Sequence, residues 1–368
     1  MNYENTVILS EAKNLIRRGI TMNNKAVYMT GINQLETHEI AMPKAGTDNV
    51  VVKIEYVGIC GSDVHYLEHG AIGEFVVEDD MILGHECAGT ITEVGAGVTS
   101  LKVGDRVALE PGITCGQCEF CKSGRYNLCA DVEFLATPPY DGCLVNYLEF
   151  PANMCFKLPE NISTKEGALV EPLAVGMHSA AQGEVKLGDT VVILGAGCIG
   201  LVTLLACKAY GATNITVVDV LQKRLDYAKK LGATTVINAL EEDVKAKIEQ
   251  IYEGAGADVV IETAGNKATI KQTSYFAKRG GRIVLVGLAP EDIIDFNFAK
   301  VMSKELSIAS VFRYRNIYPR AINAIAEGMI DVSGIVTHEF DFAESDKAFD
   351  FVINNKNDVV KAVIKIGE

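Results

Sequence analysis

The sequence predicts an α/β protein in which an all-β unit is joined to a doubly wound parallel sheet. Residues 25–160 hold short β-type runs (50–57, 88–94, 106–109 and 144–150) separated by glycine and proline turns, the texture of a barrel or sandwich. From about Glu171 strands and helices alternate: 190–194, 199–210, 215–218, 222–231, then strands 259–261 and 282–286 with helical patterns between. The length of 368 residues is too great for one typical core and suits two. After Phe312 come an amphipathic helix at 319–327 and a final strand at 360–366.

In chain order, residues 1–21 carry Glu4, Glu11, Lys13, Arg17 and Arg18 and no uninterrupted apolar stretch, so they read as neither a secretory signal nor an acid-poor transit peptide. Met22 heads a second plausible start, and 1–21 is expected to be a loosely ordered extension. The last four residues, Lys365-Ile366-Gly367-Glu368, match no peroxisomal or ER address. Eighteen uncharged residues lie between Asp189 and Lys208, but Gly195, Gly197 and Gly200 interrupt them, so a buried strand, turn and helix are expected rather than a membrane span. The formal charge of −14 argues against a nucleic-acid or anionic-membrane partner. A cytoplasmic location is the default, and there ten cysteines predict thiols or metal ligands rather than disulfides.

The first chemical signal is Gly58-Ile59-Cys60-Gly61-Ser62-Asp63-Val64-His65-Tyr66 at the end of a strand, followed by Gly84-His85-Glu86. Cys60, His85 and Glu86 are soft, borderline and hard donors, a set compatible with zinc that leaves a fourth position open. The second is Cys115-x2-Cys118-x2-Cys121-x7-Cys129, four thiols in fifteen residues. Tetrahedral thiolates close a structural zinc site. An iron–sulfur cluster is the rival, but the fourth cysteine is followed by Ala130 rather than proline. The third is Gly195-Ala196-Gly197-Cys198-Ile199-Gly200, a G-x-G-x-x-G turn between an apolar strand and an apolar helix. Its backbone N–H groups and helix N-terminus suit a pyrophosphate. Asp219 ends the next strand nineteen residues after Gly200, where a carboxylate binds a ribose 2′-hydroxyl and repels a 2′-phosphate. NAD is therefore expected over NADP, with Arg224 as the counter-signal. The five remaining cysteines (87, 143, 155, 198 and 207) read as small hydrophobes.

These segments occur in the order found in the zinc-dependent medium-chain dehydrogenases. From about residue 25 to 368 the chain resembles that family, most closely its sorbitol (L-iditol) and xylitol dehydrogenase branch. Gly-Ser-Asp-Val-His-Tyr (61–66), Gly-Arg-Tyr-Asn-Leu-Cys (124–129), Phe134 with Ala-Thr-Pro-Pro (136–139), residues 166–176 and Val-Phe-Arg-Tyr (311–314) carry the likeness. The resemblance implies a GroES-like β-barrel catalytic domain from 22–171 and 312–368, with a Rossmann NAD-binding domain, 172–311, inserted into it. It implies NAD, one catalytic and one structural zinc per chain, and a homotetramer or homodimer. It makes Cys60, His85 and Glu86 the catalytic zinc ligands. Glu171 stands where ethanol-type relatives use cysteine and binds the metal directly or through a water. Tyr66, Glu171, Arg313 and Tyr314 would contact a polyol, and Phe134 and Thr137 would line its pocket. Gly195, Gly197, Ile199, Gly200, Asp219, Arg224, Val286, Gly287, Leu288, Val311, Phe312 and Arg313 fall at cofactor positions.

The expected reaction is oxidation of a secondary alcohol of a sugar alcohol (sorbitol, L-iditol or xylitol class) to a ketose. Ser62 would pass the proton toward the cofactor ribose and His65, with Glu171 as the rival route. Threonine and butanediol dehydrogenases share the architecture and are the alternatives within enzymes. A non-catalytic cofactor-binding protein would tend to lose metal ligands, whereas this chain keeps every candidate. A zinc-finger interaction module would explain only residues 115–129. The full four-cysteine set, often absent from animal sorbitol dehydrogenases, is a departure that weakens transfer of their substrate preference.

Overall fold

The structure is a computed structural model that describes residues 23–291 and 293–367. The extension 1–21 and the second start at Met22 lie outside the described residues.

The β unit is organised around one long strand, Asn49–Ile59, buried along most of its length. Its first half pairs antiparallel with Tyr147–Pro151 and its whole length with Glu86–Val94. Outward from Glu86–Val94 the sheet continues through Arg106–Leu109 to Cys155–Lys157. On the other side the second half of the long strand pairs with Lys361–Lys365, which aligns Ala362 with Ile59 and Val363 with Gly58. Val336–Asp341 lies parallel to that last strand, with the helix Ser345–Asn354 between them in sequence. The C-terminal segment thus completes the β unit, as the resemblance implies. A hairpin of Asn24–Gly31 and Gln34–Ile40 turns at Asn33, whose φ of 55° is left-handed.

The second unit is a six-stranded, all-parallel sheet. Its spatial order is Thr235–Asn238, Asn214–Asp219, Thr190–Leu194, Ala257–Glu262, Ala277–Leu285 and Ser307–Ser310. The chain builds outward from Thr190–Leu194 in one direction, then returns to its other side. The strand order therefore reverses beside Leu194, which places the glycine turn at the switch point where such sheets bind ligands. The strands are Val/Ile-rich and buried on both faces, as helix-covered parallel strands are.

The helix Val170–Gln182 joins the units, and the boundary expected at 171 falls in its first turn. It follows the short helix Thr164–Ala168, which starts with a reciprocal Ser163–Glu166 capping box. One buried cluster runs across the joint: Ala88, Ala108 and Leu158 of the β unit share it with Leu169, Leu173, Val191, Leu204 and Tyr318. Among the described residues no helix is long and apolar enough to cross a membrane. The uncharged stretch after Asp189 folds as the strand Thr190–Leu194, the turn and the helix Cys198–Ala209.

Candidate metal centre and cofactor cleft

Cys60 sits where the long strand becomes the helix Gly61–His69, and its backbone N–H donates to Asp63 Oδ2 at 3.0 Å. That bond caps the helix and fixes the direction in which the thiol leaves the strand. His85 and Glu86 open the neighbouring strand, so strand pairing brings them to the same end of the sheet. The ligand atoms of Cys60, His85 and Glu86 lie within 4.8 Å of one another. Glu171 is buried nearby but falls outside that group. Burial pushes its carboxyl up to about 7, against the lowering effect of His85.

Two partners that the sequence reading missed hold the cluster. Asp63 is wholly buried, accepts the Gly84 N–H at 3.0 Å and stands 3.5 Å from His85 Nδ1. Lys361 is 3% exposed and donates to both oxygens of Glu86 at 2.7 and 2.8 Å, and to the Ile59 carbonyl at 2.9 Å. Burial opposes the Lys361 ammonium, but Cys198, Glu86 and Cys60 outweigh it and raise its pKa. A signal for Lys361 was present: a lone lysine in Val359-Val360-Lys361-Ala362-Val363-Ile364 must be paired if that run is buried. The residues suit a metal. A thiol, an imidazole and a carboxylate converge, and the Asp63 carboxylate faces His85 Nδ1, which leaves the other ring nitrogen as the one to offer a metal.

One wall of the site is aromatic and cationic. The Phe134 ring lies 5.7 Å from the His85 ring, and the Arg313 guanidinium stacks on Phe134 at 4.2 Å and on Phe312 at 4.8 Å. Arg313 Nη1 and Tyr314 Oη are buried with no hydrogen-bond partner. Burial lowers the Arg313 pKa, partly offset by Tyr314, Tyr66 and Glu171. Tyr66 is buried on the helix Gly61–His69, and burial, then Asp63, push its phenol up to about 12. Thr137 lies in the turn after Phe134, donating its N–H to the Phe134 carbonyl at 3.0 Å. Ser62 is half-buried and His65 exposed, three residues apart on one helix face.

In the glycine turn, Gly195 has φ 104° and a Cβ on Gly200 would stand 2.0 Å from the Gly195 carbonyl oxygen. Asp219 accepts the Ala196 N–H at 2.7 Å and the Leu221 N–H at 2.9 Å, so its carboxylate is fixed beside the turn. Arg224 approaches Gly197 but donates to the Lys356 carbonyl at 2.6 Å. Ile199 opens the helix behind the turn. Across the cleft, Val286 and Gly287 follow the strand Ala277–Leu285 and donate to the Glu262 carbonyl at 2.9 and 3.1 Å. Leu288 and Phe312 are exposed there, and Val311 donates to the Leu285 carbonyl at 2.9 Å.

Cys115, Cys118, Cys121 and Cys129 form the second donor group, all four sulfurs within 4.8 Å. The Cys118 and Cys121 N–H groups each donate to a cysteine sulfur at 3.4 Å, an arrangement that favours thiolates. Backbone bonds from Gln117 and Cys118 bring the Cys115 thiol down to about 7. All ten cysteines are free of disulfides.

Both units of the chain are similar to known proteins. Residues 46–160 match the alcohol dehydrogenase GroES-like domain, and residues 198–327 match the zinc-binding dehydrogenase domain. An uncharacterized zinc-type alcohol dehydrogenase-like protein of Escherichia coli is 51% identical over 94% of this chain and 99% of its own. A sorbitol dehydrogenase of Bacillus subtilis is 43% identical over 94% of this chain and 98% of its own. A solved Escherichia coli oxidoreductase of unknown specificity superposes with TM-score 0.91 at 48% identity, covering 94% of this chain and all of the other. Two further solved relatives, each 30% identical, hold nicotinamide cofactors. One, a zinc-binding dehydrogenase of Sinorhizobium meliloti, is bound to NADP (TM-score 0.86; 94% and 100% covered). The other, an Escherichia coli alcohol dehydrogenase, is complexed with NADH (TM-score 0.87; 94% and 99% covered). The chain belongs to the zinc-dependent medium-chain dehydrogenases and resembles their sorbitol dehydrogenases.

Proposed function

We propose that the chain is a polyol dehydrogenase that oxidises a secondary alcohol of a sugar alcohol to a ketose with NAD, using one catalytic and one structural zinc per chain. One observation carries the polyol reading: Arg313 Nη1 and Tyr314 Oη are buried without a hydrogen-bond partner, and the Arg313 guanidinium stacks on Phe134, whose ring lies beside His85. A small apolar alcohol would leave them unpaired, whereas a second or third hydroxyl group satisfies them. Two features support NAD over NADP. The Asp219 carboxylate is held beside the glycine turn by the Ala196 and Leu221 N–H groups, where its charge would oppose a 2′-phosphate, and Arg224 donates to the Lys356 carbonyl.

When bound, zinc lowers the pKa of an alcohol and the nicotinamide accepts a hydride. The chain's own residues do the rest. Cys60, His85 and Glu86 hold the metal, with Lys361 keeping Glu86 in place and Asp63 standing behind His85. Arg313, Tyr314 and Tyr66 orient the distal hydroxyls, and Phe134 keeps bulk water from that wall. Ser62 takes the alcohol proton and hands it toward the exposed His65, and Glu171, with its carboxyl near 7, is the alternative acceptor. The chain is also proposed to work as a homo-oligomer.

The test is a panel of sorbitol, xylitol, L-iditol and galactitol, scored by NADH absorbance, with threonine and 2,3-butanediol as controls and zinc assayed on the same preparation. The expected result is turnover on polyols at close to two zinc per chain. In Cys60→Ser, turnover should fall at least about a thousandfold with NAD binding nearly unchanged. Turnover confined to threonine or butanediol, or full activity in Cys60→Ser, overturns the reading.

A further inference from the structure

The four-cysteine lobe has more to do than close on itself. It hangs from a two-stranded ladder in which Gly112–Ile113 pairs with Glu133–Phe134, so the strand leaving the lobe carries Phe134. Its tip, the turn Tyr126–Leu128 directly before Cys129, reaches the segment that carries Arg313. Asn127 Nδ2 donates to the Phe312 carbonyl at 2.9 Å, and its Oδ1 accepts Arg315 Nη1 at 3.3 Å. Tyr126 Oη accepts the Asn316 N–H at 2.7 Å and donates to buried Glu110 at 2.7 Å. Asn316 Nδ2 donates to the Gly124 carbonyl at 2.8 Å.

The gripped segment needs holding. Arg313 and Asn316 have φ of 55° and 56°, the left-handed region that side-chain-bearing residues avoid unless their surroundings impose it. The lobe therefore touches both halves of the stack beside the metal cluster: its exit strand presents Phe134, and its tip fixes the backbone on either side of Arg313.

We propose that the four-cysteine lobe is a positioning clamp for the substrate end of the active site, with Tyr126 and Asn127 as the positioning residues that set Arg313 on Phe134. The predicted effect on substrates rests on the polyol reading, but the clamp itself does not. Closure of the lobe by its four thiols fixes Tyr126 and Asn127, which pass that position to residues 312–316. Neither side chain touches substrate, so loosening them should weaken recognition of distal hydroxyls and leave the reacting carbon's chemistry in place.

The test uses zinc-loaded Tyr126→Phe and Asn127→Ala, separately and together, so that one misfolded variant does not remove the readout. Backbone hydrogen exchange over 311–317 should speed up about tenfold in the double variant, while the amides of the glycine turn and of Asn49–Ile59 keep their rates. The kcat/KM for the best polyol should fall about tenfold, mainly through KM, while that for butan-2-ol, which has no distal hydroxyl, stays within about twofold. Unchanged exchange over 311–317, or equal losses on polyol and butan-2-ol, would overturn the clamp. If the wild type oxidises no polyol, the proposed function fails on its own and the exchange measurement still decides the clamp.

Discussion

Two buried ionisable side chains outside the metal centre pull the protein's pH stability in opposite directions. Burial pushes the Glu110 carboxyl up to about 7, against the lowering bond from Tyr126. Burial, helped by the charge of Arg315, brings His178 down to about 4. The folded state therefore holds a proton on Glu110 that the unfolded chain releases near the ordinary carboxyl range, and stability from this group is lost as pH rises through about 7. His178 is neutral in the folded state while the unfolded chain takes up a proton near 6.5, so stability is lost as pH falls from there through about 4. Each contributes roughly 3 kcal/mol at most, and the two windows overlap and offset. Relative to wild type, Glu110→Gln should gain thermal stability between about pH 5 and 7.5, and His178→Gln should gain it between about pH 6.5 and 4. Melting midpoints against pH measure both, and a difference that stays flat with pH for either variant refutes its assignment. At this scale the sequence was most legible where a residue's chemistry is its own. The thiols, His85 and the glycines stand out by type and spacing. Asp63 and Lys361 were overlooked because their contacts with the donor cluster are made by strand pairing, 22 residues away for Asp63 and 275 away for Lys361.

At the scale of elements, periodicity located the strands Thr190–Leu194, Asn214–Asp219 and Ala257–Glu262 and the helices Cys198–Ala209 and Gln222–Lys230 within a residue or two, because buried parallel strands are unbroken apolar runs; the strand expected at 282–286 already begins at Ala277, and the two edge strands, Thr235–Asn238 and Ser307–Ser310, were not foreseen. The strand expected at 144–150 starts only at Tyr147: the preceding residues Leu144 and Asn146 bond instead across the unit, to the carbonyls of Leu83 and Lys25. The helices Gly61–His69 and Ser345–Asn354 were not foreseen. The first begins in a glycine- and acid-containing motif whose chemistry masks its helical period, and the second buries only a narrow stripe, Ser345, Ala348 and Phe349. The glycine turn is the element whose function depends most on one missing side chain. Adding a methyl at Gly200 sets it 2.0 Å from the Gly195 carbonyl oxygen, so the helix Cys198–Ala209 must move off the strand. Gly200→Ala should weaken NADH binding at least about tenfold while zinc content holds, because both donor groups lie in the β unit. Fluorescence titration of NADH reads this, and wild-type affinity in the variant would contradict the turn's assignment.

For the whole molecule, the return of Lys361–Lys365 to the first sheet, between the long strand and Val336–Asp341, and the grip of the lobe on residues 312–316 were beyond what the residues alone could tell. Each joins segments far apart in the chain, and only the family resemblance pointed to the first. One large-scale feature also bears on assembly. Ser307–Ser310 ends the parallel sheet with its outer edge unpaired among the described residues. Its sequence, Ser-Ile-Ala-Ser, has none of the lysines or prolines that protect such edges, and Ile308 is 46% exposed. Exposed Phe298 and Met302 lie on the helix that leads into this strand, and Ile293 is exposed just before it. A bare edge with apolar groups beside it invites aggregation unless it is covered, and a second copy can cover it by antiparallel pairing about a two-fold axis. The native protein should therefore sediment at no less than twice the chain mass. Ile308→Lys places a charge on the paired edge and should shift the population toward smaller species at the same concentration, with the zinc sites intact. A wild-type monomer at micromolar concentration, or an unchanged assembly in Ile308→Lys, would show that this edge is not the joint.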